Sequence, residues 1–225
     1  VRGEPGAKKL ALLLPGRLDT KDYPHMRSHV DYLAAKGYFA LSFDPPGTWE
    51  SPGNIEIYTM TNYLKAINEL IAHFGNKPTV LMGHSRGGSM AMLAGTRNEH
   101  VTHIIAAMSN SRPSKIEWNI KNGFEISYRD IPSGGRKKFE LPLSYFEDSV
   151  KYNMLNALSK CAKPKLYFLG TKDDIVLPES VRETYEKSAA PKQLYEVNSG
   201  HDYRFHPEII QEINRAVGEF LGKKF

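Results

Sequence analysis

Apolar residues along the chain fall into short unbroken runs, separated by longer stretches in which they recur at helical spacing. Residues 8–14 (KKLALLL), 38–43 (YFALSF) and 79–82 (TVLM) show no polar alternation, as expected of strands buried on both faces. Runs at 103–107, 165–169 and 193–197 bring the number of predicted strands to six. Between them, Met26, Val30, Leu33 and Ala34 predict a helix over 23–36 that stops at Gly37. Tyr58, Tyr63, Leu64, Ile67, Leu70 and Ile71 predict a second over 57–74, ended by Gly75-Asn76. Further helices are predicted over 90–94, 150–158, 178–188 and 207–221, and residues 44–54, with three prolines and two glycines, form a loop. Strands alternating with helices predict an α/β domain: a mostly parallel sheet of about six strands with helices on both faces. Its functional turns gather at the carboxyl ends of the strands. Only 109–148 breaks the alternation, and it is expected to be an insertion within one domain spanning 1–225.

The third strand runs into Gly83-His84-Ser85-Arg86-Gly87 and then into the small-residue helix. A serine hydroxyl is a poor nucleophile until a base takes its proton and its approach to a carbonyl carbon is clear. Glycines two before and two after Ser85 allow a turn tight enough to leave its Oγ standing free. The first N–H groups of the following helix, that of Arg86 included, point back to where an oxyanion would form. This strand, turn and helix resembles the nucleophile elbow of the α/β-hydrolase superfamily.

The resemblance implies a base and an acid downstream, in the order Ser, acid, His. After the fifth strand comes Gly170-Thr171-Lys172-Asp173-Asp174-Ile175-Val176-Leu177-Pro178, similar to the family's acid loop. The family spacing selects Asp173, with Asp174 one residue away as the alternative. After the sixth strand, Gly200-His201 is similar to the family's base position. His201 would take the Ser85 proton, and Asp173 would fix its tautomer. By the same resemblance the oxyanion donors are the N–H groups of Arg86 and of Arg17, in the turn Leu14-Pro15-Gly16-Arg17-Leu18. The family often has His-Gly where this chain has Pro-Gly, so Leu18 stays open as the second donor. Phe43-Asp44-Pro45-Pro46-Gly47 with Ser51-Pro52-Gly53 is similar to a structural loop of the family. The superfamily usually begins with two more strands, for which there is little room here.

The other histidines fit the chemistry less well. His84 is expected to point away from Ser85 and to pack. His100 and His103 span a loop-to-strand junction without supporting ligands, so no metal is implied, and the resemblance implies no organic cofactor. The insertion carries Trp118, Phe124, Tyr128, Phe139, Tyr145 and Phe146 around Ser133-Gly134-Gly135. It resembles the cap of small-cap esterases, hydroxycinnamoyl-type esterases among them. Trp118, Phe124 and Tyr145 are the residues expected to wall an acyl group, although aromatics are equally needed to fasten an insertion to the body. Esters of small to medium acyl groups are the implied substrates. An amide or peptide hydrolase with the same triad, or a binding protein on the same scaffold, are the alternatives. Dehalogenases and epoxide hydrolases of the superfamily use an aspartate where this chain has Ser85.

Composition narrows the picture little. The 225 residues, 40% hydrophobic and 24% charged, are ordinary for a water-soluble domain. The net charge of +5 is scattered without an aromatic-basic ladder, so no nucleic-acid partner is expected. No run reaches membrane-span length, and the first ten residues hold no signal-like apolar core, from which a cytoplasmic location is expected. The single cysteine, Cys161, forms no intrachain disulfide and is expected to be a buried thiol. A monomer or homodimer acting on a small-molecule ester is the expected form.

Overall fold

The leucine-rich residues of the first strand, β1 (Leu10–Leu14), are all buried, and they divide the core in two. Leu10, Leu12 and Leu14 pack on one face of the sheet with Ile67, Ile71, Met90 and Val181. Ala11 and Leu13 pack on the other with Met26, Val30, Ile213 and Phe220. Successive Cβ atoms of a strand point to opposite faces, so a run without polar alternation is what a strand covered on both sides requires.

The computed structural model describes residues 1–112 and 123–225; Trp118 lies outside them. After β1 come α1 (Pro24–Ala35), β2 (Phe39–Ser42), α2 (Met60–His73), β3 (Thr79–His84), α3 (Arg86–Arg97) and β4 (Val101–Ala107). There follow β5 (Phe124–Asp130), β6 (Arg136–Pro142), α4 (Leu143–Ser149), α5 (Leu155–Leu158), β7 (Lys165–Gly170), α6 (Pro178–Lys187), β8 (Lys192–Val197) and α7 (Pro207–Leu221). Six strands form one sheet in the order β2-β1-β3-β4-β7-β8, every neighbouring pair parallel. Residues of α2, α3 and α6 belong to the first core and those of α1 and α7 to the second. The sheet is therefore the six-stranded, two-sided architecture that the sequence predicts. Among the described residues no helix is long and apolar enough to cross a membrane.

The differences lie in the connections. The helix predicted over 57–74 begins at Met60, because Thr59 accepts the Asn62 N–H and caps it there; residues 55–57 form a single 3₁₀ turn. The helix predicted over 150–158 is broken. The Met154 N–H is drawn to the Ser111 carbonyl and Asn153 Oδ1 accepts the Leu155 N–H, which leaves only the short α5. Within 109–148 the chain forms the antiparallel hairpin β5–β6 and α4. Gly134 and Gly135, at φ 110° and 84°, shape the hairpin turn. Cys161 is a buried free thiol.

Helix α1 turns His25 and His29 into the core. Asn214 Oδ1 lies 2.7 Å from His29 Nδ1 and Tyr203 Oη 3.0 Å from Nε2. A neutral ring meets both by donating from Nδ1 and accepting at Nε2. Burial, opposed only in part by the Asn214 bond, lowers the His29 pKa to about 4. The unfolded chain therefore binds a proton near pH 6.5 that the folded chain refuses, so stability is full above that pH and falls as pH drops toward 4. The loss from this one group is on the order of 3 kcal/mol. Thermal unfolding followed from pH 7 to 4 should show a declining Tm, and the decline should be shallower in His29→Gln; parallel profiles would exclude His29 as its source.

Candidate active site

Ser85 occupies the turn between β3 and α3 with φ 52° and ψ −121°, a backbone state that costs a non-glycine residue ~1–3 kcal/mol. Its neighbours leave no alternative. A Cβ on Gly87 would stand 1.9 Å from the carbonyl oxygen of Leu14, and one on Gly83 would stand 2.2 Å from the backbone of Gly87. Both obstacles are main chain and cannot swing aside. The Ser85 N–H is anchored on the Ala107 carbonyl at 2.8 Å, so the turn is fixed to β4 as well as to its own strand.

The carboxyl ends of β7 and β8 bring the other two groups to this point. His201 Nε2 lies 2.9 Å from Ser85 Oγ, and His201 Nδ1 lies 2.8 Å from Asp173 Oδ2. With Nδ1–H donating to the carboxylate, Nε2 is free to accept the serine proton. The second oxygen of Asp173 accepts the N–H groups of Ile175 and Val176 at 2.9 and 2.8 Å. The same aspartate thus caps its own turn and faces the histidine. Asp174 is exposed and does neither. Asp202, next to the histidine in sequence, turns instead to Arg204 at 3.1 Å. The loops after the two strands are laced together by Lys172 N–H to Ser199 O and Thr171 N–H to Val197 O.

Of the two open oxyanion donors, the Leu18 N–H is already given to Tyr58 Oη at 3.1 Å. The Arg17 N–H has no backbone or side-chain acceptor among the described residues. This peptide is clamped from three sides. Arg129 of β5 donates from Nε and an Nη to the Arg17 carbonyl, Trp49 Nε1 donates to the Leu18 carbonyl, and Leu18 sits at φ 58°. The sequence offers no signal for the Arg129 clamp, since it joins residues more than a hundred positions apart.

Two clefts meet at Ser85, of about 600 and 420 Å³. Arg129, Arg136, Ser127 and Tyr128 of the hairpin line the larger; Arg86, Ser89, Asn110 and Arg112 line the smaller. Tyr145 and Phe124, expected to wall an acyl group, line neither. Tyr145 is buried, stacked on Tyr58 at 5.1 Å and packed with Leu18, Phe139, Leu141 and Phe146. Phe124 is partly buried in β5. Phe139, Tyr145 and Phe146 hold the hairpin and α4 to the body, while Tyr128 and the arginines of β5 and β6 line the larger cleft. A larger cavity of about 800 Å³, between Tyr23, Arg27, Asp130 and Phe205, does not include Ser85.

His84 is buried, as expected, but it also touches the site. It reaches the His201 carbonyl with Nε2 at 2.9 Å and lies with Nδ1 3.6 Å from Asp19. Burial alone would raise the Asp19 pKa; the His84 contact together with Arg129 and Arg204 outweighs it and holds the carboxylate below its ordinary value. Asp19, His84 and His25 bring three ligand-type atoms within 4.8 Å of one another. Arg129, 3.6 Å from Asp19, already supplies that carboxylate with a positive charge. Burial drives His25 well below its ordinary pKa and keeps it neutral. The His100 and His103 rings take no part in this cluster; His103 bonds Thr102 and packs against Phe220.

Residues 11–129, just over half of the chain, match the family described as alpha/beta hydrolase fold. No curated protein matches the chain in sequence. Among solved structures, Est1E from Butyrivibrio proteoclasticus with ferulic acid bound superposes with a TM-score of 0.79 at 18% identity, over 98% of this chain and 92% of that one. A monoacylglycerol lipase from Paleococcus ferrophilus gives 0.78 at 21% identity, over 98% and 96%. Alpha/beta hydrolase domain-containing protein 10 from mouse gives 0.78 at 17%, over 98% and 91%.

If His201 is poised by Asp173, the rate at which a fluorophosphonate labels Ser85 should fall about 10²-fold or more in Asp173→Asn. In Asp174→Asn it should stay within a few-fold of the native rate. Intact-mass time courses measure both, and the reverse ranking would move the acid by one position.

Proposed function

The chain belongs to the alpha/beta hydrolase fold family, and on that footing we propose that it is a serine hydrolase cleaving carboxylic esters of small to medium acyl groups. The observation that carries this reading is the hydrogen-bonded chain from Ser85 through His201 to Asp173, at 2.9 and 2.8 Å. Fold neighbours that include a monoacylglycerol lipase and a protein with ferulic acid bound support the reaction class.

In the proposed reaction, Ser85 Oγ attacks the ester carbonyl carbon as its proton passes to His201 Nε2. The carbonyl oxygen gains negative charge and is met by the N–H groups of Arg86 and Arg17, where loss of one such donor typically costs ~10²–10³ in rate. Asp173 stabilises the imidazolium without taking its proton. The tetrahedral intermediate collapses, the alcohol leaves with the proton from His201, and an acyl-Ser85 remains. Water, activated by the same histidine, then attacks the acyl carbon and releases the acid. No step requires a metal or organic cofactor.

Residues 109–148 are read as a cap on a single domain, a reading supported by the hairpin side chains along the larger cleft. We read the active form as a monomer or homodimer in the cytoplasm, acting on a small molecule.

Ser85→Ala should lower ester turnover by a factor on the order of 10⁴–10⁶ with folding intact. Native protein should cleave p-nitrophenyl esters faster than anilides of the same acyl group. Activity retained in Ser85→Ala would overturn the mechanism, and faster cleavage of the anilide would reassign the reaction to amides.

A further inference from the structure

Six arginines line the two clefts at Ser85: Arg17, Arg86, Arg112, Arg129, Arg136 and Arg204. Five of them have a carboxylate partner. Arg17 meets Glu125, Arg112 meets Glu183, Arg129 meets Asp19, Arg136 meets Asp130, and Arg204 meets Asp130 and Asp202. Among the described residues, Arg86 is the exception. Its Nη1 lies 2.9 Å from the thioether sulfur of Met60, and its guanidinium sits 5.5 Å from the centre of the Tyr145 ring.

Those two contacts hold the group without neutralising it. A thioether is a weak acceptor, and a ring face attracts a cation through its quadrupole. Arg86 is half-buried, so part of its hydration is lost, and no acid among the described residues replaces it. Among the described residues lining the smaller cleft, Asp174 is the one acid. Ser89 Oγ is bonded to Ser109 Oγ and the Asn110 carbonyl, and Asp174, which also lines the cleft, is exposed. Arg86 directly follows Ser85 in sequence and shares a cavity of about 420 Å³ with it. A guanidinium fixed from behind and open in front presents a planar pair of donors that matches a carboxylate.

We propose that the smaller cleft is an anion subsite, in which Arg86 binds a free carboxylate carried by the ester substrate. The preferred substrates are then half-esters of short dicarboxylic acids. One unpaired guanidinium balances one negative charge, which fits a carboxylate better than a doubly charged phosphate monoester. This inference rests on the reading of Ser85 as an esterase nucleophile, and binding tests it apart from turnover.

The probes are monomethyl glutarate, its neutral counterpart dimethyl glutarate, and the cationic methyl 4-(trimethylammonio)butyrate, titrated calorimetrically into the full-length Ser85→Ala protein. The monoanion should bind about ten- to a hundredfold more tightly than the neutral diester. Half-molar NaCl should shrink the preference, Arg86→Gln on the same background should abolish it, and Arg86→Lys should keep part of it. Equal affinities, or preference for the cation, would overturn the subsite; the salt series decides even if Arg86→Gln fails to fold. Turnover of the two glutarate esters by native protein separates the two readings. Preferential binding of the monoanion with neither ester cleaved would leave the subsite standing and remove the esterase assignment. Cleavage of both with equal affinities would do the opposite.

Discussion

The approach of the β3–α3 turn to the carboxyl end of β1 is the contact on which the rest of the site depends. Gly87 lies so close to the Leu14 carbonyl that even a methyl group would be excluded, and this proximity brings the start of α3 beside the turn holding Arg17. Ser85, between these elements, takes a positive φ, a local cost of ~1–3 kcal/mol. The two buried cores on either face of the sheet supply the stability against which that cost is set. Once Ser85 is fixed, the parallel order β3-β4-β7-β8 sets where the loops carrying Asp173 and His201 emerge.

The hairpin and the body are linked by bonds that shape the chemistry as well as the packing. Arg129 holds the Arg17 carbonyl and also faces Asp19, while Asp19 faces His84, and His84 reaches the backbone of His201. One polar chain therefore runs from β5 beneath the turn holding Arg17 to His201. Each member restricts the orientation of the next, which holds the ring of His201 in place beside Ser85. His25 and His29, kept neutral by burial, lie alongside it in the core.

The clefts are more polar than the aromatic content of the insertion implies. Tyr145, Phe146, Phe139 and Trp49 are consumed in joining the hairpin and α4 to the body. The walls at Ser85 combine arginines and small polar residues with Met60, Tyr128, Tyr152, Met154, Ile175 and Val176. Among the described residues, every arginine lining the clefts faces an acid except Arg86, beside Ser85.

The sequence by itself determined the parts of this protein whose signals are local. Unbroken apolar runs marked the strands of the sheet to within about two residues, because a doubly covered strand tolerates no polar position. The glycines around Ser85 marked the turn, because no other residue fits it. Family spacing selected Asp173 with Asp174 as the alternative; burial and the bond to His201 distinguish them, since only Asp173 turns inward. Arg17 was the expected second donor and Leu18 the alternative; Tyr58, forty positions away, takes the Leu18 N–H. The sites of Phe124 and Tyr145, the Arg129 clamp, the link from Asp19 through His84, and the absence of an acid beside Arg86 among the described residues were decided only by tertiary structure. Each depends on which distant side chain arrives as a partner, and a hydrogen bond or an ion pair between remote residues leaves no periodic trace along the chain.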